Sequence, residues 1–487
     1  MNAVKSFEES TQGIYGDLLT ERRVKAKISV GLLQFGYFEY WRMFPGEFKR
    51  CVAEDLRKIE ERLRQDYNVV STDLVDTLDS ADISGRILRD SNIDALIIVM
   101  GTYVPDYISM HALKYVKEVP VLVFSAQHSN TINENGTFLD SARDSCMIGT
   151  AQLTATFRKI GRKYTSVVGS VDDERAYLKI GYFLKAIQAV SDVCDANIGV
   201  IGNVFRGMYD IELSKTFLKG VFDINVINIQ IEHLIRIWEQ ITEAETNELM
   251  DRLLTRFMVC AIPRFDVARA CKLAIAMRKL ISQYRLDALC VLDQHYIQKV
   301  FRTTARIGAS ILLENQRIPV CCEGDLGGIV MTMLMQSISG ENPMQGEWCG
   351  YDEEKNACLI RGHGVADPKM ARSDADITLT RTPEQWGMEG VGINYEFLLR
   401  PGACTVGSFL ETSNRYSMLI SRVDSIEHKT LKYDELHAIV KVGPPVTEYL
   451  EALFRFGVTQ HCIICHKDIT KELKHVSDIY NLERLII

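Results

Sequence analysis

The chain has 487 residues, enough for about three domains of average size. Its composition, with 47% hydrophobic and 25% charged residues, is typical of globular proteins and excludes a disordered or collagen-like chain. The formal net charge is −8 and no run of basic residues occurs, which argues against nucleic acid as a partner.

Thirteen cysteines are scattered along the chain. This odd number indicates reduced thiols rather than a framework of disulfides. The first residues lack the apolar core of a signal peptide, and no apolar run approaches the roughly 18 residues that a membrane-spanning helix needs. These features predict a cytoplasmic protein with no membrane partner.

Residues 1–194 are predicted to form an N-terminal α/β domain. The predicted strands are 28–35, 69–74, 95–100, 119–124 and 166–169, and the predicted helices include 47–65 and 174–190. Near-continuous apolar strands that alternate with amphipathic helices are typical of a parallel, doubly wound sheet.

Residues 195–342 are predicted to form a central α/β domain of the same kind. Its predicted strands are 197–202, 226–229, 288–292 and 319–322, with a long helical region over 232–284 and a helix over 326–337. The loop 202–207 lacks the glycine spacing of the dinucleotide fingerprint, and no Walker motif occurs in the chain, which argues against nucleotide binding.

Residues 343–487 are predicted to form a β-rich C-terminal domain, because short strands follow one another with turn residues between them. The predicted strands are 357–360, 377–380, 393–399, 405–410, 417–423 and 437–442, and a helix is predicted near 447–456. The pattern favours an antiparallel, barrel-like sheet. The predicted fold class is therefore α/β, with two doubly wound parallel-sheet domains followed by a barrel-like domain.

One cysteine motif near the C-terminus is interpreted as structural. Cys462-Ile-Ile-Cys465-His466 matches the string to which c-type haem is attached. Covalent haem requires export, for which the chain carries no signal, and the two isoleucines favour a buried strand end.

Three acidic residues and two histidines are candidates for a site at the junction of the central and C-terminal domains. Glu323 and Asp325 directly follow a predicted strand, where ligands bind in open α/β folds; Glu347, His363 and His461 come later in the chain. Taken singly, each has a structural alternative: a helix cap, a solvated loop acid or a hydrogen-bonded core histidine. Two carboxylates and two imidazoles suit a borderline divalent ion such as Mn²⁺ better than Mg²⁺.

The same residues resemble a known family. The string Cys322-Glu323-Gly324-Asp325, the acid Glu347, the pair Gly362-His363 and the pair Gln460-His461 are similar in order and spacing to the metal-binding set of the L-arabinose isomerases, which are structurally related to L-fucose isomerase. The likeness covers nearly the whole chain, and the three predicted domains agree with the architecture of that family.

The resemblance implies roles for individual residues. Glu323, Glu347, His363 and His461 would hold Mn²⁺ or another divalent cation, and the two glutamates would also be the acid/base pair. The implied sugar contacts are Gln34, His128, Phe205 and an aromatic residue near Tyr296, with His128 reaching the site of a neighbouring subunit. A homo-oligomer follows, a hexamer built from trimers or a tetramer, with the site at the subunit interface.

The predicted function is the metal-dependent conversion of L-arabinose to L-ribulose through an enediol. Two alternatives stay open. One is an isomerase of the same family that acts on another aldose, such as L-fucose, D-arabinose or a charged hexose derivative that Arg206 or Arg361 would meet. The other is a sugar-binding protein without catalysis.

Overall fold

The computed structural model describes residues 26–116, 118–384, 387–413 and 415–487. The N-terminal residues from which the absence of a signal peptide was predicted lie outside the described residues. Between Ser191 and Asp192 the chain divides into two compact units, the N-terminal unit and the C-terminal unit.

The N-terminal unit contains a five-stranded sheet in which all pairs are parallel, in the order β2-β1-β3-β4-β5. The central strand, Ala95–Met100, is buried along its whole length because helices cover both faces of such a sheet. The strands are β1 (Ser29–Phe35), β2 (Asn68–Ser71), β3 (Ala95–Met100), β4 (Val121–Gln127) and β5 (Thr165–Ser170).

Helices connect these strands. In Glu47–Arg64, buried apolar residues recur every three or four positions against a charged remainder, as expected for a helix packed on a sheet. The helices are α1 (Phe38–Met43), α2 (Glu47–Arg64), α3 (Leu78–Asp90), α4 (Asp106–Leu113), α5 (Phe138–Arg143), α6 (Cys146–Lys159) and α7 (Glu174–Val193).

The C-terminal unit begins with a second parallel sheet, in the order β10-β9-β6-β7. Its strands are β6 (Asn197–Ile201), β7 (Asn225–Ile229), β9 (Ala288–Val291) and β10 (Val320–Cys322). The helices of this region are α8 (Lys215–Phe222), α9 (Ile231–Glu239), α10 (Glu243–Arg256), α11 (Arg264–Tyr284), α12 (Gln298–Phe301), α13 (Arg306–Gln316) and α14 (Leu326–Ser339).

Most of the remaining strands of this unit form a closed antiparallel sheet. Six strands pair in the order β15-β18-β11-β12-β17-β16, and β16 pairs back with β15, so the ring closes as a barrel. The strands are β11 (Met344–Asp352), β12 (Ala357–Gly362), β15 (Gly402–Thr412), β16 (Arg415–Ser425), β17 (His437–Lys441) and β18 (His461–His466). The last strand, β19 (Glu483–Ile486), adds to β16 in parallel, and the helices are α15 (Val446–Phe456) and α16 (Thr470–Tyr480).

The predicted fold class is confirmed, but some elements differ from the expectation. The helical region predicted over 232–284 is three helices, with the short strand β8 (Met258–Val259) between α10 and α11. This strand pairs with β13 (Thr378–Arg381), which also pairs with β14 (Ile393–Glu396). Two strands expected in the barrel therefore form a separate sheet with β8, because long-range pairing rather than local pattern decides the sheet to which a strand belongs.

Three domains were predicted, whereas the chain divides into two units, so this division does not test the predicted domain boundaries. The predicted boundary after residue 194 lies next to the end of α7, and the predicted boundary after residue 342 lies inside the C-terminal unit. Both boundaries stay predictions.

All thirteen cysteines are free thiols, as their odd number predicts. None of the helices among the described residues is both long and apolar enough to span a membrane.

Candidate metal centre

The turn between β10 and α14 carries the first acidic residue of the cluster. Glu323 (φ 63°) and Gly324 (φ 76°) both adopt the left-handed conformation, which is strained for a residue with a side chain and is common at functional sites. A Cβ at Gly324 would lie 2.6 Å from the carbonyl oxygen of Asn203. Asp325 then caps α14 by accepting a hydrogen bond from the Gly328 N–H at 2.7 Å. This turn therefore fixes the Glu323 side chain at the carboxyl end of β10.

Three adjacent strands of the barrel carry the other members. Glu347 on β11 lies opposite His461 on β18 and opposite Arg361 on β12, and residues that lie opposite each other share one face of a sheet. His363 follows β12 directly, and its backbone N–H donates to the carbonyl oxygen of Gln345 at 3.2 Å. Glu347 lies within a strand that was not predicted from the sequence.

Glu323, Glu347, His363 and His461 form one compact cluster. One ligand atom from each lies within 4.8 Å of all the others. Nε2 of His461 is 3.1 Å from Oε2 of Glu323, and Nε2 of His363 is 3.5 Å from Oε1 of Glu347. The rings of the two histidines meet edge to face with centroids 4.7 Å apart.

Neighbouring polar side chains orient the cluster. Oδ2 of Asp325 accepts the Nδ1 hydrogen of His461 at 2.9 Å, which leaves Nε2 directed at Glu323. Gln345 donates to the same Asp325 oxygen at 3.2 Å and accepts from the Cys322 N–H at 3.2 Å. Such partners behind a ligand fix the tautomer and direction of an imidazole.

The electrostatics favour charged forms despite burial. Burial raises the pKa of Glu347, but His363 and His461 outweigh it and lower the pKa to about 2. Burial likewise opposes ionisation of Glu323, yet the same histidines hold its pKa below the usual value. For His461, burial lowers the pKa, but Asp325 and Glu323 outweigh it and raise the pKa to about 10. The two histidines thus favour the ionised forms of the buried carboxylates.

The cluster fits a divalent cation. Nε2 of His363 is buried and has no hydrogen-bond partner, a state that is costly for a polar atom unless a ligand completes it. Four donors within 4.8 Å of one another are compatible with a single ion, since metal–ligand bonds of about 2.0–2.6 Å place donors on opposite sides of an ion at about twice that distance. The mixed oxygen and nitrogen set is one that several borderline divalent ions accept.

Comparison with known proteins agrees with this geometry. No protein-family model matches the chain. It is 22% identical over 439 residues to sulfoquinovose isomerase from Alkalicoccus urumqiensis, covering 89% of this chain and 96% of the relative. It is 20% identical over 486 residues to L-arabinose isomerase from Salmonella enteritidis, covering 93% and 95%. Over most of its length the chain is therefore similar to sugar isomerases of two kinds. These relatives support the interpretation of the chain as an enzyme, a sugar isomerase.

A third relative extends the comparison. Sulfoquinovose isomerase from Priestia megaterium is 19% identical over 401 residues, covering 81% of this chain and 86% of the relative. The matches therefore span most of the length of both partners.

Two of the predicted sugar contacts lie in the N-terminal unit, near the carboxyl ends of β1 and β4. Gln34 is buried, and its Nε2 donates to the Leu56 carbonyl oxygen at 3.0 Å. His128 is 43% exposed, and its Nδ1 lies 3.1 Å from Oδ2 of Asp55. Arg143 holds the same Asp55 oxygen at 2.7 Å. Their contact with a sugar stays a prediction.

The other two predicted contacts lie in the C-terminal unit. Phe205 is 8% exposed and, like Gln294, lies against the backbone of Gly387. Gln294 in turn donates a hydrogen bond to Glu323, so Phe205 adjoins the cluster through this glutamine. Tyr296 is 53% exposed. Within the same irregular turn, Asp293–Ile297, the residue that contacts the cluster is Gln294.

Gln294 and Gln345 were not predicted from the sequence. For Gln345 a signal existed, because residues two apart on a strand share a face and Glu347 is two residues later. Recognising it required knowing that 344–352 is a strand. Gln294 carries no such signal, because its position depends on an irregular turn after β9.

Proposed function

We propose that the protein is a metal-dependent aldose–ketose isomerase that works through an enediol, with L-arabinose to L-ribulose as the first candidate reaction. The observation that carries this proposal is the cluster of two glutamates and two histidines with donor atoms within 4.8 Å. A pure sugar-binding site has no need of an acid/base pair at a cation site, which argues against the non-catalytic alternative.

The two glutamates have environments suited to different roles. The side chain of Glu323 is 4% exposed and bonded to His461 and Gln294, whereas that of Glu347 is 24% exposed. Moving a proton between adjacent carbons needs a base at one carbon and an acid that reprotonates the oxygens. In the proposed reaction Glu347 and Glu323 shuttle these protons, and the more exposed Glu347 is the more accessible to the sugar.

His363 and His461, together with the glutamates, would hold the cation. Bound Mn²⁺ would supply Lewis-acid stabilisation of negative charge on the two oxygens of the open-chain sugar, and other divalent cations suit the same donors. The thirteen free thiols support the proposed location in the cytoplasm.

A second candidate substrate is an anionic hexose. Arg206 and His295 both have left-handed backbones (φ 39° and 65°), and the Arg206 Nε–H donates to Nε2 of His295 at 2.9 Å. Both flank the ring of Phe205, with the guanidinium carbon 5.2 Å and the His295 ring 5.7 Å from its centre. One guanidinium donor is used in this bond, and a guanidinium is well suited to sulfonate, carboxylate or phosphate. The sulfoquinovose isomerases among the relatives make a sulfonated hexose the natural test.

The variant Arg206→Gln tests this candidate. If Arg206 meets an anionic group, KM for the anionic aldose should rise about tenfold, the loss expected for one charge-assisted hydrogen bond. KM for a neutral aldose should stay unchanged and serves as the internal control. Equal changes for both sugars would contradict a role in anion recognition.

The function as a whole is tested by incubating Mn²⁺-loaded protein with a panel of aldoses and measuring ketose. The panel includes L-arabinose, L-fucose, D-arabinose and sulfoquinovose. Ketose from any of them supports the proposed isomerase, and the preferred sugar identifies the substrate class. Binding of a sugar without ketose formation would support the non-catalytic alternative.

The proposed assembly is a homo-oligomer, a hexamer or a tetramer, in which His128 completes the site of a neighbouring subunit. Large apolar side chains in the segment after His128 are exposed, as expected for a surface that a second copy covers. These are Ile132, Phe138, Leu139, Met147 and Ile148.

Mixing two inactive variants tests this assembly. Inactive His128→Ala and inactive Glu323→Gln chains, refolded together, should regain partial activity, because some interfaces pair an intact His128 with an intact metal site. Each variant refolded alone is the control. Full activity of a monomeric wild-type protein would contradict the shared site.

A further inference from the structure

The two carboxylate oxygens of Glu347 face different groups. Oε1 lies 3.5 Å from Nε2 of His363, inside the cluster. Oε2 lies 3.5 Å from an Nη2 donor of Arg361, the residue directly opposite Glu347 on β12. One oxygen is thus available to a cation while the other lies beside a guanidinium.

Arg361 is itself anchored by a buried series of ion pairs in which positive and negative side chains alternate. Its Nε lies 3.2 Å from Oε2 of Glu435, and the other oxygen of Glu435 accepts from Arg306. Nε of Arg306 lies 3.5 Å from Oδ2 of Asp293. This series of ion pairs lies in the interior, because its side chains are 5% (Arg306), 4% (Glu435) and 1% (Asp293) exposed.

This series of ion pairs approaches the cluster at three points. Arg361 contacts Glu347 at one end. At the other end, Asp293 begins the turn whose next residue, Gln294, donates to Glu323. Between them, a Cβ at Gly364 would lie 2.8 Å from the stem of Arg306, so Arg306 supports the backbone next to His363.

Stability alone is a weak reason for such an arrangement. Removing two ions from water costs about as much as their attraction returns, and apolar replacements of buried ion pairs are often neutral or stabilising. A fixed geometry is the benefit that an ion pair can supply and an apolar pair cannot. In this protein the ion pairs fix the positions of the side chains around the cation site.

We infer that Arg361, anchored by Glu435 and Arg306, is a positioning residue that holds Oε2 of Glu347 and leaves Oε1 for the cation. This inference rests on the proposed function for its meaning in catalysis. Glu435 and Arg306 lie far from Glu347 in sequence, and they share in positioning its carboxylate through Arg361.

The test compares Mn²⁺ binding and turnover in variants of this chain. Glu435→Gln keeps the size of the side chain but releases Arg361, so Mn²⁺ affinity should fall about tenfold, as is typical when a partner behind a metal ligand is lost. The EPR spectrum of bound Mn²⁺ should change, and kcat at saturating Mn²⁺ should fall more than KM for the sugar rises. Arg361→Gln should have the same effects, and Arg361→Lys, which keeps the charge, should restore part of them.

Glu314→Gln is the matched control. The side chain of Glu314 is 6% exposed and forms an ion pair with Arg256 at 2.8 Å, outside the cluster. Its loss should lower the melting temperature without changing Mn²⁺ affinity or the EPR spectrum. Wild-type Mn²⁺ affinity in both Glu435→Gln and Arg361→Gln would overturn the inference. If the wild type forms no ketose, the proposed function fails, while the Mn²⁺ affinities still decide the positioning role.

Discussion

Replacing Glu323 by glutamine and His461 by alanine together is expected to abolish uptake of Mn²⁺, of which the wild-type protein should take up about one ion per chain. The double variant removes two of the four ligands and one negative charge. Nδ1 of His461 lies against Asp325 and Gln345 while its Nε2 faces Glu323, so the change to alanine removes the nitrogen that faces Glu323. Equilibrium dialysis followed by elemental analysis measures the bound metal.

A matched double variant controls for damage to the fold. Glu314→Gln with His466→Ala changes the same residue types at a half-buried and a buried position outside the cluster, and His466 lies on the same strand as His461. This control should retain one Mn²⁺ per chain. Unchanged uptake in the Glu323/His461 variant would show that the four residues are not the site.

The second large effect is expected for Glu347→Gln. This change keeps the size of the side chain and one acceptor oxygen but removes the group that accepts and donates protons. Turnover should therefore fall by about two orders of magnitude while sugar binding persists. Steady-state kinetics with ketose detection give kcat, and calorimetric titration with the aldose gives the affinity.

Glu411→Gln serves as the control for this variant, because Glu411 is a half-buried glutamate on β15 of the same barrel. Its turnover should equal that of the wild type. If Glu347→Gln isomerises at a rate near the wild-type rate, Glu347 has only a structural role.

The position of Glu323 is an example of what the sequence alone could predict. A short apolar run ends at Cys322, and Glu-Gly-Asp follows directly before a helical pattern. Since ligands bind at the carboxyl ends of parallel strands, the local pattern located this residue without knowledge of the rest of the fold.

Glu347 shows why other parts could not be predicted locally. The strand Met344–Asp352 contains two glycines and an irregularity between Trp348 and Gly350, so it lacks the alternation that identifies a strand. Pairing with β12 and β18 defines it, and these partners are far away in sequence. Strand β19 is likewise defined by its pairing, with residues of β16 that lie 66 positions earlier.

The polar residues behind the cluster could not be predicted from the local sequence pattern either. Gln294, Glu435 and Arg306 come from an irregular turn, a loop and the first turn of a helix. A single polar residue in such a segment resembles a solvated surface residue in sequence. Only the packing of the C-terminal unit shows that each is buried and paired.

Metal dependence of the isomerase is measured by following ketose formation while metal-stripped protein is titrated with Mn²⁺. With the preferred aldose of the panel, we expect negligible ketose before Mn²⁺ is added and a rate that reaches its plateau near one Mn²⁺ per chain. Ketose formation at the full rate by the stripped protein would contradict a metal-dependent isomerase.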